Sequence, residues 1–212
     1  MAISKELPMF IPDYNNIAKA AKNEKSVRIP LYEHIVSPLI METILGKKFA
    51  DLGNGGYEDK KEFFRHYNRF FTEMGYDTIS WECCVGAVMP GSGSLGRHVK
   101  GVIQNRKDFE AYPWDSIPDM YFRRYGDYFK ALGETMPEGT RGIGGVGNGV
   151  FECVQDITGF ENLCYIKVDD GELYQGLFNK VGEMLASIWE RFLKEYGGLY
   201  CVCRTGDDFG FK

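Results

Sequence analysis

The stretch from Asp169 to Arg204 decides the fold class; it reads DDGELYQGLFNKVGEMLASIWERFLKEYGGLYCVCR. Its apolar residues recur every three or four positions as far as Tyr196, which predicts one long amphipathic helix. An apolar face of this width must pack on a large apolar surface. After two glycines a short apolar run follows at 198–204 and predicts a strand. The stretch therefore indicates a helix that leads directly into a strand.

The same order of helix and strand recurs earlier in the chain. Helical periodicity predicts two further helices, at 59–75 and 117–133. Strands are predicted at 27–35, 76–84, 140–147 and 198–204. The segment 160–168 is either a fifth strand or an extended connection. Alternating strands and helices predict an α/β fold, in which parallel strands are joined by helical crossovers.

The composition of the chain indicates which partners and which cellular location to expect. The chain of 212 residues has a net charge of −5, which provides no basic face for nucleic acid. It contains no apolar run long enough for a membrane span, and its beginning lacks a signal-peptide pattern. Its six cysteines show no CxxC spacing, so reduced thiols are expected. We therefore expect a cytoplasmic protein without nucleic-acid or membrane partners.

Acidic and small polar residues follow each of the four predicted strands. The ends carry, in chain order, Glu33 and His34; Glu82, Cys83 and Cys84; Asn148, with Glu152 just inside the next helix; and Asp207 and Asp208. The carboxyl ends of parallel strands share one rim, where ligands bind. Such a rim suits acid–base or metal-assisted chemistry. The alternative is that turns favour Asp and Asn for local reasons.

These positions give two sets of candidate residues. The catalytic candidates are Glu33, Glu82, Asp207 and Asp208, and the substrate-binding candidates are His34, Cys84, Gly145, Gly147 and Asn148. No metal ligand is assigned, because no group of residues has a diagnostic spacing. A small-molecule substrate is the expected partner.

The glycine-rich run GIGGVG at 142–147 matches a dinucleotide-binding fingerprint, with Asp169 and Asp170 at about the required twenty residues beyond it. Its context is wrong for that site, since the glycines themselves form the predicted strand. A strand without side chains instead lets another group approach its backbone closely. A second glycine-rich run, GSGSLG at 91–96, is interpreted as a flexible lid.

Several stretches together resemble the uroporphyrinogen decarboxylase superfamily. The run GVFECVQDITGFENLCYIKVDDGELYQGLFNKVGEML at 149–185 is similar to the middle of its members, where a glycine-rich strand precedes a helix starting Phe-Glu, a GFEN turn and a long helix. The run GDDFGFK at 206–212 resembles the acidic loop of that superfamily. RIPLYEHI at 28–35 and MGYDTISWECC at 74–84 stand where its first two strands would be.

The resemblance implies an eight-stranded (β/α) TIM barrel. It divides the chain into a helical or extended segment at 1–26 and a barrel domain at 27–212. A complete barrel needs about 250 residues or more, so about the first half is expected here. The superfamily includes a cofactor-free heme-pathway decarboxylase and zinc-dependent, corrinoid-linked methyltransferases.

Departures from the decarboxylase pattern favour a methyltransferase-like member. The heme enzyme carries an Arg-Gln-Ala-Gly-Arg stretch for substrate carboxylates, whereas LYEHIVSPLI at 31–40 places Glu33 there. The acid that the heme enzyme carries after strand two is replaced by SWECC, which puts Glu82 or Cys84 in its place. Glycines 144–147 would leave room for a flat macrocycle.

The resemblance also sets the expected cofactors and partners. No cofactor is expected within this chain; zinc and a corrinoid would serve a complete methyltransferase, whose one histidine and two cysteine ligands are expected outside this chain. The partners would be a tetrapyrrole or methyl carrier, a corrinoid protein, or a second copy in a homodimer. Two alternatives stay open: metal-free uroporphyrinogen decarboxylation in porphyrin biosynthesis, and a non-catalytic incomplete barrel that self-associates.

Overall fold

A computed structural model describes residues 10–96 and 99–208 of the chain. Its described part contains eight α-helices and three β-strands. The helices are α1 Asn15–Ala21, α2 Pro38–Leu45, α3 Tyr57–Glu73, α4 Arg106–Ala111, α5 Ile117–Thr135, α6 Val150–Thr158, α7 Phe160–Asp169 and α8 Gly171–Tyr196. The strands are β1 Thr78–Cys84, β2 Arg141–Gly147 and β3 Tyr200–Cys203.

The three strands form one open parallel sheet in the order β1-β2-β3. Helices α4 and α5 connect β1 to β2, and helices α6, α7 and α8 connect β2 to β3. The predicted α/β fold with helical crossovers is therefore confirmed. The three predicted helices appear as α3, α5 and α8, because each has an apolar face at helical spacing.

The strand predicted at 27–35 is wrong. The segment forms neither helix nor strand, and the side chains of Val27 and Ile29 are 86% and 90% exposed. Pro30 lies in its middle and has no backbone N–H to donate to a sheet. The apolar alternation of this segment therefore does not correspond to a buried face.

The segment 160–168 is also not a strand, because it lies within helix α7. Gly159 precedes the helix with a φ of 77°, and its carbonyl accepts the Leu163 amide at 2.9 Å. Leu163 and Ile166 are buried, whereas Val168 is exposed. The three-residue spacing of the buried side chains fits a helix and not the period of two that a strand requires.

The chain divides into two compact units, each built from three separate stretches. The first unit comprises the described residues through Trp81, Asp127–Ile143 and Leu199–Val202. The second comprises Glu82–Gly126, Gly144–Gly198 and the described residues from Cys203 onward. The border between them crosses each strand, so the carboxyl ends of all three strands belong to the second unit.

An aromatic cluster forms the core of the first unit. The ring centroids of Phe64 and Trp81 lie 4.7 Å apart in an edge-to-face arrangement, and those of Tyr67 and Trp81 lie 5.3 Å apart. The Tyr67 hydroxyl donates to the Ser80 carbonyl at 2.8 Å. Edge-to-face rings and a satisfied buried hydroxyl are the arrangement that aromatic cores favour.

The core of the second unit forms where α8 packs on α6 and α7. The buried face of α8 consists of Leu173, Leu177, Val181, Met184, Leu185, Ile188, Phe192 and Tyr196. Val154 and Ile157 of α6 are fully buried. Among the described residues, no helix has both the length and the apolar character needed to cross a membrane.

Candidate functional site

The carboxylate of Asp207 is hydrogen-bonded to the start of helix α6. One of its oxygens accepts the Phe151 amide at 2.9 Å, and the other accepts the Glu152 amide at 3.0 Å. Backbone amides in the first turn of a helix have no partner within the helix, and a carboxylate there also meets the positive end of the helix dipole. Asp207 therefore fixes the chain after β3 to the helix that follows β2.

Asn148 forms the turn between β2 and α6. Its φ of 69° lies in the left-handed region, which asparagine tolerates better than most residues. Its side-chain carbonyl accepts the Gly86 amide at 3.0 Å, and its amide donates to Glu152 at 3.2 Å. The same Glu152 oxygen accepts the Gly149 amide at 3.1 Å. Asn148 thus joins the chain after β1 to the start of α6.

Glu82, near the end of β1, forms an ion pair with Arg204, which follows β3. Their side chains are 12% and 29% exposed, so the pair is largely withdrawn from solvent. The Arg204 amide also donates to the Gly144 carbonyl of β2 at 2.9 Å. Because β2 lies between β1 and β3 in the sheet, the ion pair crosses the carboxyl end of the central strand.

Gly147 at the end of β2 makes this crossing possible. A Cβ atom at this position would lie 2.9 Å from Cys84 Sγ and 3.2 Å from Glu82 Oε1. Contacts this short would displace both side chains. A similar argument applies to Gly149, where a Cβ would lie 2.1 Å from the Asp207 carboxyl carbon.

Two thiols lie among these carboxylates. Burial, and then the charges of Glu82 and Glu152, raise the pKa of Cys84 to about 11. Burial also raises the pKa of Cys153, and Glu152, Asp156 and Asp207 act in the same direction. A raised pKa keeps each thiol protonated at neutral pH, so neither is a ready nucleophile.

These side chains form one group at the carboxyl ends of the three strands, within the second unit. We call it the rim cluster; its members are Glu82, Cys84, Asn148, Glu152, Arg204 and Asp207. Asp208 adjoins the cluster, since its amide donates to Asp207 at 3.0 Å, and it is exposed. The cluster combines three carboxylates with one guanidinium.

The structure brings together five of the nine predicted site residues: Glu82, Cys84, Gly147, Asn148 and Asp207, with Asp208 beside them. Asp207 differs from a free catalytic acid, because both of its oxygens accept helix amides. Of the predicted acidic loop at 206–212, residues 209–212 lie outside the described part of the chain.

Glu33 and His34 do not follow a strand, so the reason for placing them on the rim is wrong. Both lie in the irregular segment before α2 in the first unit, where the Glu33 carbonyl accepts the hydroxyl of Ser80.

Gly145 is not open to a ligand in the way predicted. A Cβ there would lie 3.0 Å from Phe192 and 3.1 Å from Trp189, so side chains of α8 already cover this position. Glycine at 145, with its φ of 108°, permits close packing of α8 on the strand. At Gly145 and Gly147 the strand therefore leaves no space for a macrocycle.

Sequence reasoning missed Arg204 as a site residue and did not assign a role to Glu152. Arg204 is the last residue of the strand predicted at 198–204, and this place at a strand end was the available signal. Glu152 carried a signal as well, because a Glu at the third position of a helix often bonds back to the helix start.

The described residues do not supply a zinc site. Among them, no three histidine, cysteine, aspartate or glutamate side chains converge to hold a metal ion.

No family model matches this chain, and no curated protein or solved structure matches it.

Proposed function

We propose that the sheet and its crossover helices are part of a (β/α)8 barrel of the uroporphyrinogen decarboxylase superfamily, and that the protein serves methyl transfer. The rim cluster would be its substrate site. Two features support this proposal: the parallel order of strands and helices, and a polar cluster at the carboxyl ends of the strands, where barrel enzymes bind their substrates.

The charge of the rim cluster favours methyl transfer over uroporphyrinogen decarboxylation. The cluster contains three carboxylates, those of Glu82, Glu152 and Asp207, and one guanidinium, that of Arg204, which is ion-paired with Glu82. Two like charges about 4 Å apart repel by ~1 kcal/mol in bulk water and ~4 kcal/mol at an effective dielectric constant of about 20. A porphyrinogen that carries several carboxylates would meet this repulsion repeatedly. A neutral or cationic substrate that carries a methyl group would not.

Each residue of the cluster has a distinct part in this proposal. Arg204 holds the Glu82 carboxylate in one orientation, so that Glu82 can accept a hydrogen bond or a proton from the substrate. Cys84 keeps its proton at neutral pH and therefore acts as a donor beside Glu82. Asn148 and Asp207 position the chain after β2 and β3.

A binding experiment distinguishes the methyl-transfer proposal from the decarboxylase alternative. The ¹⁵N-labelled chain is titrated with tetramethylammonium chloride and, in parallel, with uroporphyrin, and the amide signals of Gly86, Asn148 and Gly149 are followed. We expect tetramethylammonium to shift these signals in a saturable way, and Glu82→Gln to weaken the effect. Uroporphyrin should leave the same signals unchanged.

The opposite outcome would overturn the proposal in favour of the decarboxylase. Saturable shifts with uroporphyrin that disappear in Arg204→Gln would show that the guanidinium binds substrate carboxylates. Exposed Arg191→Gln, outside the rim cluster, provides the matched control for loss of a positive charge.

A further inference from the structure

We propose that the second unit contains a separate binding site for a small aromatic anion, in the cavity between the loop that follows Ser92 and the junction of α6 and α7. The cavity has a volume of about 650 Å³. Ligand pockets in proteins span roughly 300–1,000 Å³. The rim cluster contacts the start of α6, whereas this cavity is lined by Gln155 and Thr158 near the end of α6 and by Gly159, which follows it. The two sites therefore use opposite ends of one helix.

The loop is fixed to α6 at two places. Asp156 accepts the amides of Gly93 at 2.8 Å and Leu95 at 2.7 Å. Farther along, the Gly101 amide donates to the Thr158 carbonyl at 3.2 Å. Gly96, Val99 and Lys100 lie between these two anchors and line the cavity. The described part of the cavity wall is thus held on both sides by hydrogen bonds to α6.

Two aromatic rings give the cavity its apolar wall. Phe160 is 56% exposed and Tyr165 is 59% exposed, and both line the cavity. Exposed aromatic side chains that border one concave space offer ring faces and edges to a planar ligand. Val99, also exposed, extends the same apolar surface.

The polar groups of the cavity indicate the charge of the ligand. Lys100 forms no ion pair with any residue in 10–96 or 99–208, and the Gln155 side chain has no hydrogen-bond partner among them. The cavity also contains Glu161, whose carboxylate accepts the Tyr165 hydroxyl at 3.4 Å. The ammonium group of Lys100 would bind an anionic substituent, while the ring of the ligand packs on Phe160 and Tyr165.

Two other polar residues of the lining have structural roles. The side-chain amide of Gln104 donates to the Thr158 carbonyl of α6 at 3.2 Å, and that of Asn162 in α7 donates to the Ile103 carbonyl at 3.2 Å. Both therefore hold the loop against the helices, which leaves Lys100 as the cation and Gln155 as the amide that can bind a ligand within the described chain.

The test uses 2-naphthalenesulfonate as the aromatic anion and the full ¹⁵N-labelled chain. We expect saturable shifts of the amide signals of Gly159, Phe160 and Tyr165, and unchanged signals for Asn148 in the rim cluster. Lys100→Gln and Phe160→Ala should each weaken binding about fivefold, as loss of one charge contact or one ring contact implies. Methanesulfonate and 2-naphthalenemethanol, which each lack one half of the probe, should bind more weakly.

Matched variants distinguish binding at this site from nonspecific binding to the protein surface. Lys194→Gln removes an exposed charge outside the cavity, and Val168→Ala removes an exposed apolar side chain from the same helix, α7. Neither should change the affinity. Tyr165→Leu, which keeps apolar bulk but removes the ring, gives a second test of the aromatic wall.

The proposal is overturned if the shifts do not saturate, if they cluster away from α7, or if Lys100→Gln and Phe160→Ala bind as the unchanged chain does. These outcomes are independent of the rim cluster. Failure of the titration with tetramethylammonium would therefore leave this inference standing, and the reverse also holds.

Discussion

The carboxylate of Glu82 on β1 is ion-paired with the guanidinium of Arg204, which follows β3, across the end of the strand that separates them. The central strand ends there in Gly147, whose missing side chain leaves the space that Glu82 and Cys84 occupy. Glycine at this position therefore allows side chains from the two outer strands to meet.

A double-mutant cycle measures the coupling of this pair. Glu82→Gln and Arg204→Gln should each lower the free energy of unfolding by about 1–3 kcal/mol, because each leaves a partly buried charge without its partner. The double variant should lose less than the sum of the two single losses. Urea denaturation of the four proteins gives these values.

The exposed pair Arg191–Glu195 serves as the control for this cycle, since its side chains are 43% and 39% exposed. Its coupling energy should be no more than about 0.5 kcal/mol, as for other exposed pairs within a helix. Equal coupling in the two pairs would contradict the view that the Glu82–Arg204 pair is withdrawn from solvent.

Gly147→Ala should destabilise the protein by about 1–3 kcal/mol, because the new methyl group would displace Cys84 and Glu82. Gly182 in α8 is the matched control, since a Cβ there would meet nothing within 4 Å. Gly182→Ala should stabilise the protein by about 0.5–1 kcal/mol, because alanine favours a helix interior. Thermal unfolding of both variants would show whether their effects have opposite signs.

Asp207→Asn should lower the free energy of unfolding by about 1–2 kcal/mol, the usual range for the loss of a helix cap. Hydrogen exchange at the Phe151 and Glu152 amides should accelerate, because these amides donate to Asp207. Asp208→Asn, which changes the exposed neighbour, should leave both rates unchanged. Unchanged exchange in Asp207→Asn would show that the carboxylate does not cap α6.

The pKa of Cys84 can be tested by alkylation with iodoacetamide, followed at this residue by mass spectrometry. With a pKa of about 11, the thiolate fraction and the rate should rise about tenfold per pH unit between pH 7 and 10 without reaching a plateau. Glu82→Gln removes a charge that raises this pKa, so alkylation at pH 8 should become faster.

The exposed thiol of Cys164 in the same sample is the internal reference for reagent and pH. A rate for Cys84 that levels off below pH 9 would mean that burial and Glu82 do not hold its proton. The pH dependence of Cys84 in Glu82→Gln then separates the two causes, since burial acts in both proteins.

Periodicity of apolar residues was sufficient to predict the three helices α3, α5 and α8. The strands at 76–84, 140–147 and 198–204 were also predicted, although the second of them is rich in glycine. Periodicity failed at 27–35, where alternation occurs without burial and Pro30 interrupts the backbone donors. It left 160–168 undecided, because a segment with only Leu163 and Ile166 buried carries a weak pattern of either type.

The place of Glu82, Asn148 and Asp207 in the rim cluster was predictable, because each lies at or just after the end of a single strand. The site was not predictable where it depended on two strands at once. Arg204 becomes part of the rim cluster only because β1 and β3 flank Gly147, and that order of strands is a tertiary property. Likewise, the packing of Phe192 and Trp189 against Gly145 could not be read from the glycine pattern.

The most direct test of the central claim, that the rim cluster presents a negative surface to its substrate, compares two soluble nitroxides by NMR. The cation 4-trimethylammonium-TEMPO and the anion 4-carboxy-TEMPO are added separately to the ¹⁵N-labelled chain. Relaxation of the amide protons of Asn148, Gly206 and Asp208 is measured with each probe. We predict a clearly larger enhancement by the cation than by the anion at all three amides, reduced in Glu82→Gln. Equal enhancement, or a larger effect of the anion, would contradict the proposed preference for a neutral or cationic substrate.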